Sequence, residues 1–174
     1  MNSERGQPPD VVLQPTSRED LPRLLKLWND GRVMRLVGFP NGLGWDAARV
    51  EAWFDALQIS PRRRHFSIYI PDGTFCGETH YRVDAEHNLG SLDIKLHIQA
   101  QGQGIATAAF RELIQCVFEE NPDVQAVWVE PWPENLRAHR LYSRCGFAPH
   151  PRPGHLGEGP SYWELHRQSW MPSP

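Results

Sequence analysis

Apolar residues recur along this chain in two spacings, one typical of helices and one typical of strands. Four segments carry apolar residues three or four positions apart, which predicts helices. They are Thr16 to Trp28, Asp46 to Gln58, Ile105 to Phe118 and Glu134 to Cys145. Either Thr16 or Ser17 can cap the first helix, and Thr16 and Glu19 have the spacing of a capping box. Between the first two helices, Arg32 to Trp45 contains three glycines and a proline, which predicts a short helix followed by a loop.

Seven further segments are short and either alternate in polarity or are rich in β-branched and aromatic residues, which predicts strands. They are Val11 to Gln14, Phe66 to Ile70, Phe75 to Val83, Leu89 to Ile98, Val124 to Glu130, Phe147 to His150 and Tyr162 to His166. Pro71-Asp72-Gly73 predicts a hairpin between the second and third of these, and Ser60 to His65 a basic turn before them. The order predicts an α/β (α+β) fold, with a mixed and mostly antiparallel sheet of about seven strands and about four helices. We expect residues 1–10 to be a flexible tail and residues 11–170 a single domain.

Composition narrows the class of protein. The chain has 174 residues, 40% of them hydrophobic and 22% charged, which is ordinary for a globular domain. A net charge of −3 argues against nucleic-acid and membrane-surface binding, and no apolar run has the length of a membrane span. Three cysteines without a C-x-x-C pair predict reduced thiols and a cytoplasmic location. The eight histidines lack metal-ligand spacing, so we expect no metal.

A glycine-rich turn joins the alternating strand that ends at Ile98 to the helix that follows. Gln101 to Ala106 reads Gln-Gly-Gln-Gly-Ile-Ala. The first turn of a helix has unpaired N–H groups and a positive dipole end, and glycine lets an anion approach them. A pyrophosphate fits this description. A dinucleotide fold is disfavoured, because Thr107 stands where its third glycine would be and the strand order differs.

A second motif combines with the glycine turn into a family resemblance. The segment Asn135 to Phe147 reads N-L-R-A-H-R-L-Y-S-R-C-G-F, and with Gln101 to Ala106 it resembles the two motifs of the GCN5-related N-acetyltransferases (GNAT). The order of elements agrees along nearly the whole chain. The first two helices loosely resemble the RimJ/RimL-like branch. The resemblance implies the GNAT fold and transfer of an acetyl group from acetyl-CoA, used as cosubstrate, to an amine.

The resemblance also implies which residues contact the cofactor. The strand before the glycine turn is expected to bulge and splay at Leu96 to Ile98, which would expose backbone N–H groups to pantetheine and to the thioester carbonyl. Asn135 is expected to bond to the pantetheine arm. The complete cofactor-binding set is Leu96, His97, Ile98, Gln101, Gly102, Gln103, Gly104, Ile105, Ala106, Asn135, Ala138 and Tyr142.

Tyr142 is the expected general acid. It follows Asn135 by seven residues, which on a helix places both side chains on one side, roughly 10 Å apart. By resemblance the phenol reaches the sulfur and protonates the departing thiolate. A core aromatic with a satisfied hydroxyl is the alternative interpretation.

The general base is less specific in the sequence. Glu78 and Asp93 are the first candidates, because they lie on central strands that can face the acceptor. His80 and His97 are further candidates, and each of the four could instead be structural or solvated. Cys116 and Cys145 have the spacing of packing residues, so we expect direct attack by the amine without an acyl-enzyme.

The acceptor is a primary amine, either of a small molecule or of a peptide N-terminus. Five aromatic residues are candidates for its pocket or for the core: Trp28, Phe39, Trp45, Trp53 and Trp132. An exposed edge near the last strands allows a homodimer. A non-catalytic acyl-CoA-binding module on the same fold is the alternative function, and it would not need Tyr142 as an acid.

Overall fold

One seven-stranded sheet organises the chain in a computed structural model that describes residues 9–171. The strands are β1 (Val12–Pro15), β2 (Arg63–Tyr69), β3 (Phe75–Asp84), β4 (Leu89–Leu96), β5 (Ala126–Val129), β6 (Ala148–Pro149) and β7 (Trp163–His166). Their order across the sheet is β1-β2-β3-β4-β5-β7-β6, and every pair is antiparallel except β4–β5, which is parallel. The predicted mixed sheet is therefore confirmed. Most of the predicted tail lies outside the described residues.

The helices cover both faces of this sheet. They are α1 (Leu21–Trp28), α2 (Gly31–Met34), α3 (Ala47–Gln58), α4 (Ile105–Glu120) and α5 (Leu136–Arg144). The four predicted helices are present, and the short helix predicted before the loop is the single turn α2. Within residues 9–171, no helix combines the length and apolar character that crossing a bilayer requires.

Helix α4 supplies most of the main core. Phe110, Leu113, Ile114 and Val117 are all 0% exposed, and they pack on side chains of β3, β4 and β5. Each such burial contributes about 2 kcal/mol. Helices α1 and α3 form a separate cluster on the other side of the sheet. Alternation along β2, β3 and β4 therefore gives each strand one side toward α4 and one toward α1 and α3.

The capping box predicted near the N-terminus has the wrong residues. The capping interaction belongs to Ser17, whose backbone N–H donates to Asp20 over 2.9 Å, and not to Thr16 and Glu19. The Thr16 hydroxyl is instead 2.7 Å from Nδ1 of His65, 49 residues away in sequence. A buried long-range hydrogen bond has displaced the local one, which the spacing of residues alone cannot reveal.

The basic segment also differs from the prediction. Arg63 and Arg64 belong to β2 and not to a turn, because they pair with Arg82 and Tyr81 of β3. Two arginines at the start of the strand read as a solvated loop in the sequence, although their long apolar stems suit a half-buried sheet.

The end of β4 departs from the prediction in a way that matters for the site. The strand ends at Leu96, and Ile98 begins a short 3-10 helix, Ile98–Ala100. Pairing with β3 runs without a shift up to Gly77–Leu96, so the expected bulge is absent from β4 there; the irregularity lies between β2 and β3, beside Cys76. The expected splay is present, because β4 pairs with β5 only through Leu89–Ser91.

Candidate active site

The polar side chains of three central strands meet on the face of the sheet that lies under α1. Register places Glu78 opposite Lys95, and His80 opposite both Asp93 and His65. Because side chains alternate along a strand, all five project from the same face. The sheet thus brings together both carboxylates expected from the sequence, Glu78 and Asp93, together with the further candidate His80.

Glu78 lies at the centre of this group, and its side chain is only 1% exposed. One carboxylate oxygen is 3.2 Å from Nζ of Lys95 and 3.3 Å from the indole N–H of Trp28, which both donate to it. The other is 3.1 Å from Nε2 of His65 and 3.4 Å from Nδ1 of His80. Burial alone would raise the pKa of Glu78, but the Lys95 ammonium and the His65 ring hold it well below its usual range. Glu78 is therefore a stable anion that holds its neighbours in place.

Asp93 is the more accessible carboxylate. Its side chain is 35% exposed and forms an ion pair with Lys95, which bridges the two acids. Burial alone would lower the pKa of Lys95, but Asp93 and Glu78 raise it, so the ammonium stays charged. One lysine therefore partly neutralises two carboxylates.

The hydroxyl of Tyr142 is influenced by the same charges. Its ring is buried and packs against Phe110 and Phe147, with centroids 5.3 and 5.9 Å away. Burial raises the pKa of Tyr142; the Asp93 carboxylate raises it further, and the Lys95 ammonium opposes this. Such a phenol remains protonated at neutral pH and has a proton to donate.

An open cavity of about 340 Å³ adjoins Glu78, Asp93 and Lys95, and Tyr142 is not among its lining residues. Four of the five aromatic residues selected from the sequence line it, and Trp132, 45% exposed, does not. The complete lining is Trp28, Met34, Val37, Phe39, Leu43, Trp45, Trp53, Arg63, His65, Glu78, His80, Asp93 and Lys95. The cavity is therefore aromatic on one side and ionic on the other.

The glycine turn has the backbone that its sequence predicts. Gly102 and Gly104 have φ of +80° and +84°, and a side chain added at Gly102 would meet nothing within 4 Å. Gly104 is the N-cap of α4, and the first N–H bonded within this helix is that of Thr107, at 3.0 Å from the Gly104 carbonyl. Backbone N–H groups of Ile105 and Ala106 precede it and are available to an anion, as at other helix N-termini.

Other members of the expected cofactor set anchor this turn. Gln101 donates from its side-chain amide to the carbonyl of Leu96 over 3.1 Å and accepts from Arg137 of α5 over 2.6 Å. Asn135 caps α5, since its side-chain oxygen accepts the N–H of Ala138 over 3.1 Å. Side-chain oxygens of Gln101 and Asn135 are thus engaged within the protein.

The remaining members occupy three different environments. His97 and Gln103 line a second cavity of about 420 Å³ beside the turn, whereas Ile98 is half-buried. Ile105 is 3% exposed and packs into the core, with Ala106 against it, so these two contribute backbone groups and not side chains.

The thiols have the environment of packing residues. Burial raises the pKa of Cys145 to about 11 and that of Cys116 to about 12, and it also raises the pKa of Cys76. A thiol that is protonated at neutral pH is a weak nucleophile. None of the three lines the cavity that contains Glu78 and Asp93.

Two groups of side chains in the described part of the chain bring three metal-ligand atoms within 4.8 Å of one another, although the sequence spacing predicted no such cluster. The first is His65, Glu78 and His80, and the second is Asp84, His87 and His155. In the first, the Lys95 ammonium already shares the Glu78 carboxylate, so a dication there would face a like charge.

Sequence reasoning missed His65, Lys95 and Arg63 as lining residues of the site. The sequence does indicate Lys95 in part, because it lies two residues after Asp93 on the polar side of β4, opposite the apolar positions. The missing information was the register that places β2 and β4 on either side of Glu78.

Comparison with known proteins gives a family match over most of the chain. Residues 10–148 match the family model described as an acetyltransferase (GNAT) domain. The chain is 31% identical over 72 residues to an aminoglycoside N(6')-acetyltransferase type 1 of Klebsiella pneumoniae, covering 41% of this chain and 35% of that protein. It is 31% identical over 68 residues to a kanamycin resistance protein of Rhizobium radiobacter, covering 38% of this chain and 62% of that protein. Both matches span less than two thirds of the relative.

Solved structures share the fold at low sequence identity. The spermidine N-acetyltransferase from Vibrio cholerae, in complex with CoA and spermine, superposes with a TM-score of 0.78 at 16% identity, over 91% of this chain and 96% of that one. An aminoglycoside acetyltransferase, AAC(6')-Ib, in complex with coenzyme A and kanamycin, gives 0.75 at 21% identity, over 92% and 96%. At these identities the likeness establishes the fold alone.

Proposed function

This chain belongs to the GNAT acetyltransferase family, and on that premise we propose that it transfers an acetyl group from acetyl-CoA to a primary amine of a small molecule. The observation that carries the proposal is the splay of β4 from β5 after Ser91, which leaves a gap. The glycine turn follows the end of β4, and the charges of Asp93 and Lys95 reach the Tyr142 hydroxyl. The named acceptors of the relatives, aminoglycosides and spermidine, are also small amines.

Binding of the cosubstrate would use backbone groups. The open space at Gly102 and the N–H groups of Ile105 and Ala106 suit the pyrophosphate. The edge of β4 beyond Ser91, unpaired on its β5 side, suits the pantetheine arm, with the amide of Asn135 as a further donor. Acetyl-CoA supplies the thioester, which the acceptor attacks.

The protein's own contribution to the chemistry is the handling of two protons. As the C–S bond breaks, Tyr142 donates its hydroxyl proton to the departing sulfur. The amine, once bonded to the acetyl carbon, must lose a proton, and we assign its acceptance to Asp93, the more exposed of the two carboxylates. Glu78 is a poorer base because it is enclosed and its pKa is lowered. We assign Glu78 a positioning role through Lys95.

A panel of amines combined with one substitution tests this function. Thiol release from acetyl-CoA and the mass of the acetylated product are measured for the wild type and for Tyr142→Phe. We expect Tyr142→Phe to lower kcat about 100-fold and to change the Kd of CoA far less, since the main loss is that of a proton donor. Undiminished kcat would exclude Tyr142 as the acid.

The alternative function, a non-catalytic acyl-CoA-binding module, makes a different prediction. CoA would bind, with the affinity lowered by Gly104→Val, and no amine on the panel would be acetylated. The RimJ/RimL-like placement would instead favour peptide N-termini as acceptors, so the panel includes a short peptide with a free N-terminus.

A further inference from the structure

The cavity that contains Glu78 has an aromatic half whose arrangement suits a flat ligand. Trp28 stands edge-on to two other indoles, with ring centroids 5.5 Å from Trp45 and 4.7 Å from Trp53. Phe39 is 47% exposed and lines the cavity with them. Trp28 is only 5% exposed, so the surfaces open to a planar apolar group are those of the half-buried Trp45 and Trp53 and of Phe39.

The ionic half of the same cavity has balanced charges. The lining contains two anions, Glu78 and Asp93, and two cations, Lys95 and Arg63. Lys95 pairs with both acids, and the Arg63 guanidinium lies 6.0 Å from the centroid of Trp53. Burial lowers the pKa of His65, so that this ring is neutral at pH 7. The two anions and the two cations of the lining therefore sum to a formal charge of zero.

A balanced lining disfavours acceptors with several positive charges. A polycation leaves several hydration shells on entering a cavity, and only unpaired anions compensate for that cost. Lys95 and Arg63 together match the charge of the two carboxylates. A ligand with one amine loses little hydration free energy on binding. Its apolar body gains binding free energy from burial against the indoles.

We propose that the acceptor is a monoamine on an aromatic or similarly flat apolar body, with the body against the cavity-facing surfaces of Trp45 and Trp53 and the amine toward Asp93. This inference rests on the proposed function for its meaning as a substrate class. It separates this chain from relatives whose named ligands are aminoglycosides or spermine, although the fold is shared.

Direct binding tests the inference without requiring turnover. Calorimetry on the full chain saturated with CoA compares phenethylamine, spermidine and kanamycin. Phenethylamine is expected to bind at least about tenfold more tightly than either polycation, because one phenyl ring is buried against indoles. Tighter binding of spermidine or kanamycin would overturn the inference and leave the proposed function intact. Tight binding of phenethylamine without acetylation would support the inference and overturn the proposed function instead.

Two neighbouring arginines provide a matched pair of variants. Arg63 lines the cavity, whereas Arg64 points to the other side of the sheet and pairs with Glu120 over 3.4 Å. Arg63→Met leaves the lining with one net negative charge and should tighten spermidine binding about two- to fivefold, the effect of one partly exposed charge. Arg64→Met should leave spermidine binding unchanged. Equal effects of both variants would show that the charge balance of the cavity does not select the acceptor.

The aromatic wall has its own test. Trp53→Leu keeps much of the packing volume and should weaken phenethylamine binding about fivefold, with little effect on spermidine. Trp45→Leu serves as the second variant should Trp53→Leu unfold. Unchanged phenethylamine affinity in a folded variant would contradict the proposed position of the aromatic body.

Discussion

Glu78 has more buried polar contacts than its neighbours on β3. The reason is the free energy that burying its carboxylate without partners would cost. A carboxylate taken out of water loses several kcal/mol of hydration, which only close partners restore. Lys95, Trp28 and His65 are those partners, at 3.2, 3.3 and 3.1 Å. The arrangement fixes the rotamer of Lys95 and, through it, the position of Asp93.

We expect Glu78→Gln to lower the free energy of unfolding by about 3 kcal/mol, because Lys95 loses one of its two counter-charges in a buried setting. Urea denaturation measures the change. Glu51→Gln is the control, since Glu51 pairs with Arg18 on the exposed surface of α3 and should cost less than about 1 kcal/mol. Equal losses in both variants would show that the burial of Glu78 has no energetic consequence.

At the scale of elements, the N-terminus of α4 combines backbone conformation with ligand access. Gly104 has a φ of +84°, where a β-branched side chain is strained. Gly73, in the turn between β2 and β3, has an almost identical φ of +85° and open space around it. The two positions share this backbone conformation, but a Cβ added at Gly104 would also lie 2.9 Å from Cδ of Pro9.

Gly104→Val should therefore raise the Michaelis constant for acetyl-CoA about tenfold, through strain at the pyrophosphate turn. Gly73→Val introduces the same backbone strain without the Pro9 contact and should leave that constant unchanged. Steady-state kinetics at saturating amine, with thermal unfolding of both variants, separates the two effects. A normal constant for a folded Gly104→Val would mean that the turn does not bind the pyrophosphate.

The sequence pattern predicted the helices and strands better than it predicted the contacts between them. Helical spacing located α4, and alternation located β4, because both depend on neighbours a few residues apart. The bond from Thr16 to His65 spans 49 residues, and the pairing of Arg63 with Arg82 depends on strand register. Such contacts arise from how the strands assemble, which a single sequence does not encode in its periodicity.

The site residues also fall into those that the sequence pattern predicts and those that only the strand register reveals. The glycine turn and Tyr142 sit in contiguous motifs and were accessible to sequence reasoning. The His65 and Lys95 partners of Glu78 lie on different strands, so no linear spacing marks them as a group. Trp132 shows the converse, because an aromatic residue beside a motif lies outside the cavity that four other aromatic residues line.

At the scale of the whole molecule, three buried groups make stability depend on pH in one direction. Burial lowers the pKa of His65. Burial alone would raise the pKa of Asp20, but the Ser17 backbone N–H and the Tyr69 hydroxyl lower it, and the pKa of Glu78 is lowered as described. In each case the unfolded chain binds a proton more readily than the folded one, so stability falls as pH falls.

The loss should begin below about pH 6.5, where an unfolded histidine gains a proton, and steepen below about pH 4.5, where unfolded carboxylates do. Urea midpoints between about pH 8 and about pH 3 measure the profile. Asp20→Asn should flatten its acidic part and leave the region near pH 6 unchanged. Stability that rises on acidification would contradict the sign of all three shifts.

The three-residue pairing of β4 with β5 also has a mechanical consequence. The sheet consists of two parts, β1 to β4 and β5 to β7, and the strand pairing between them is limited to Leu89–Ser91 of β4. A molecule bound in the gap would contact both parts of the sheet. Bound CoA should therefore stabilise their association as well as serve as a substrate. Deuterium uptake at residues 92–96 should then slow on adding CoA, with little change in β2. The protein without CoA would be the more flexible form.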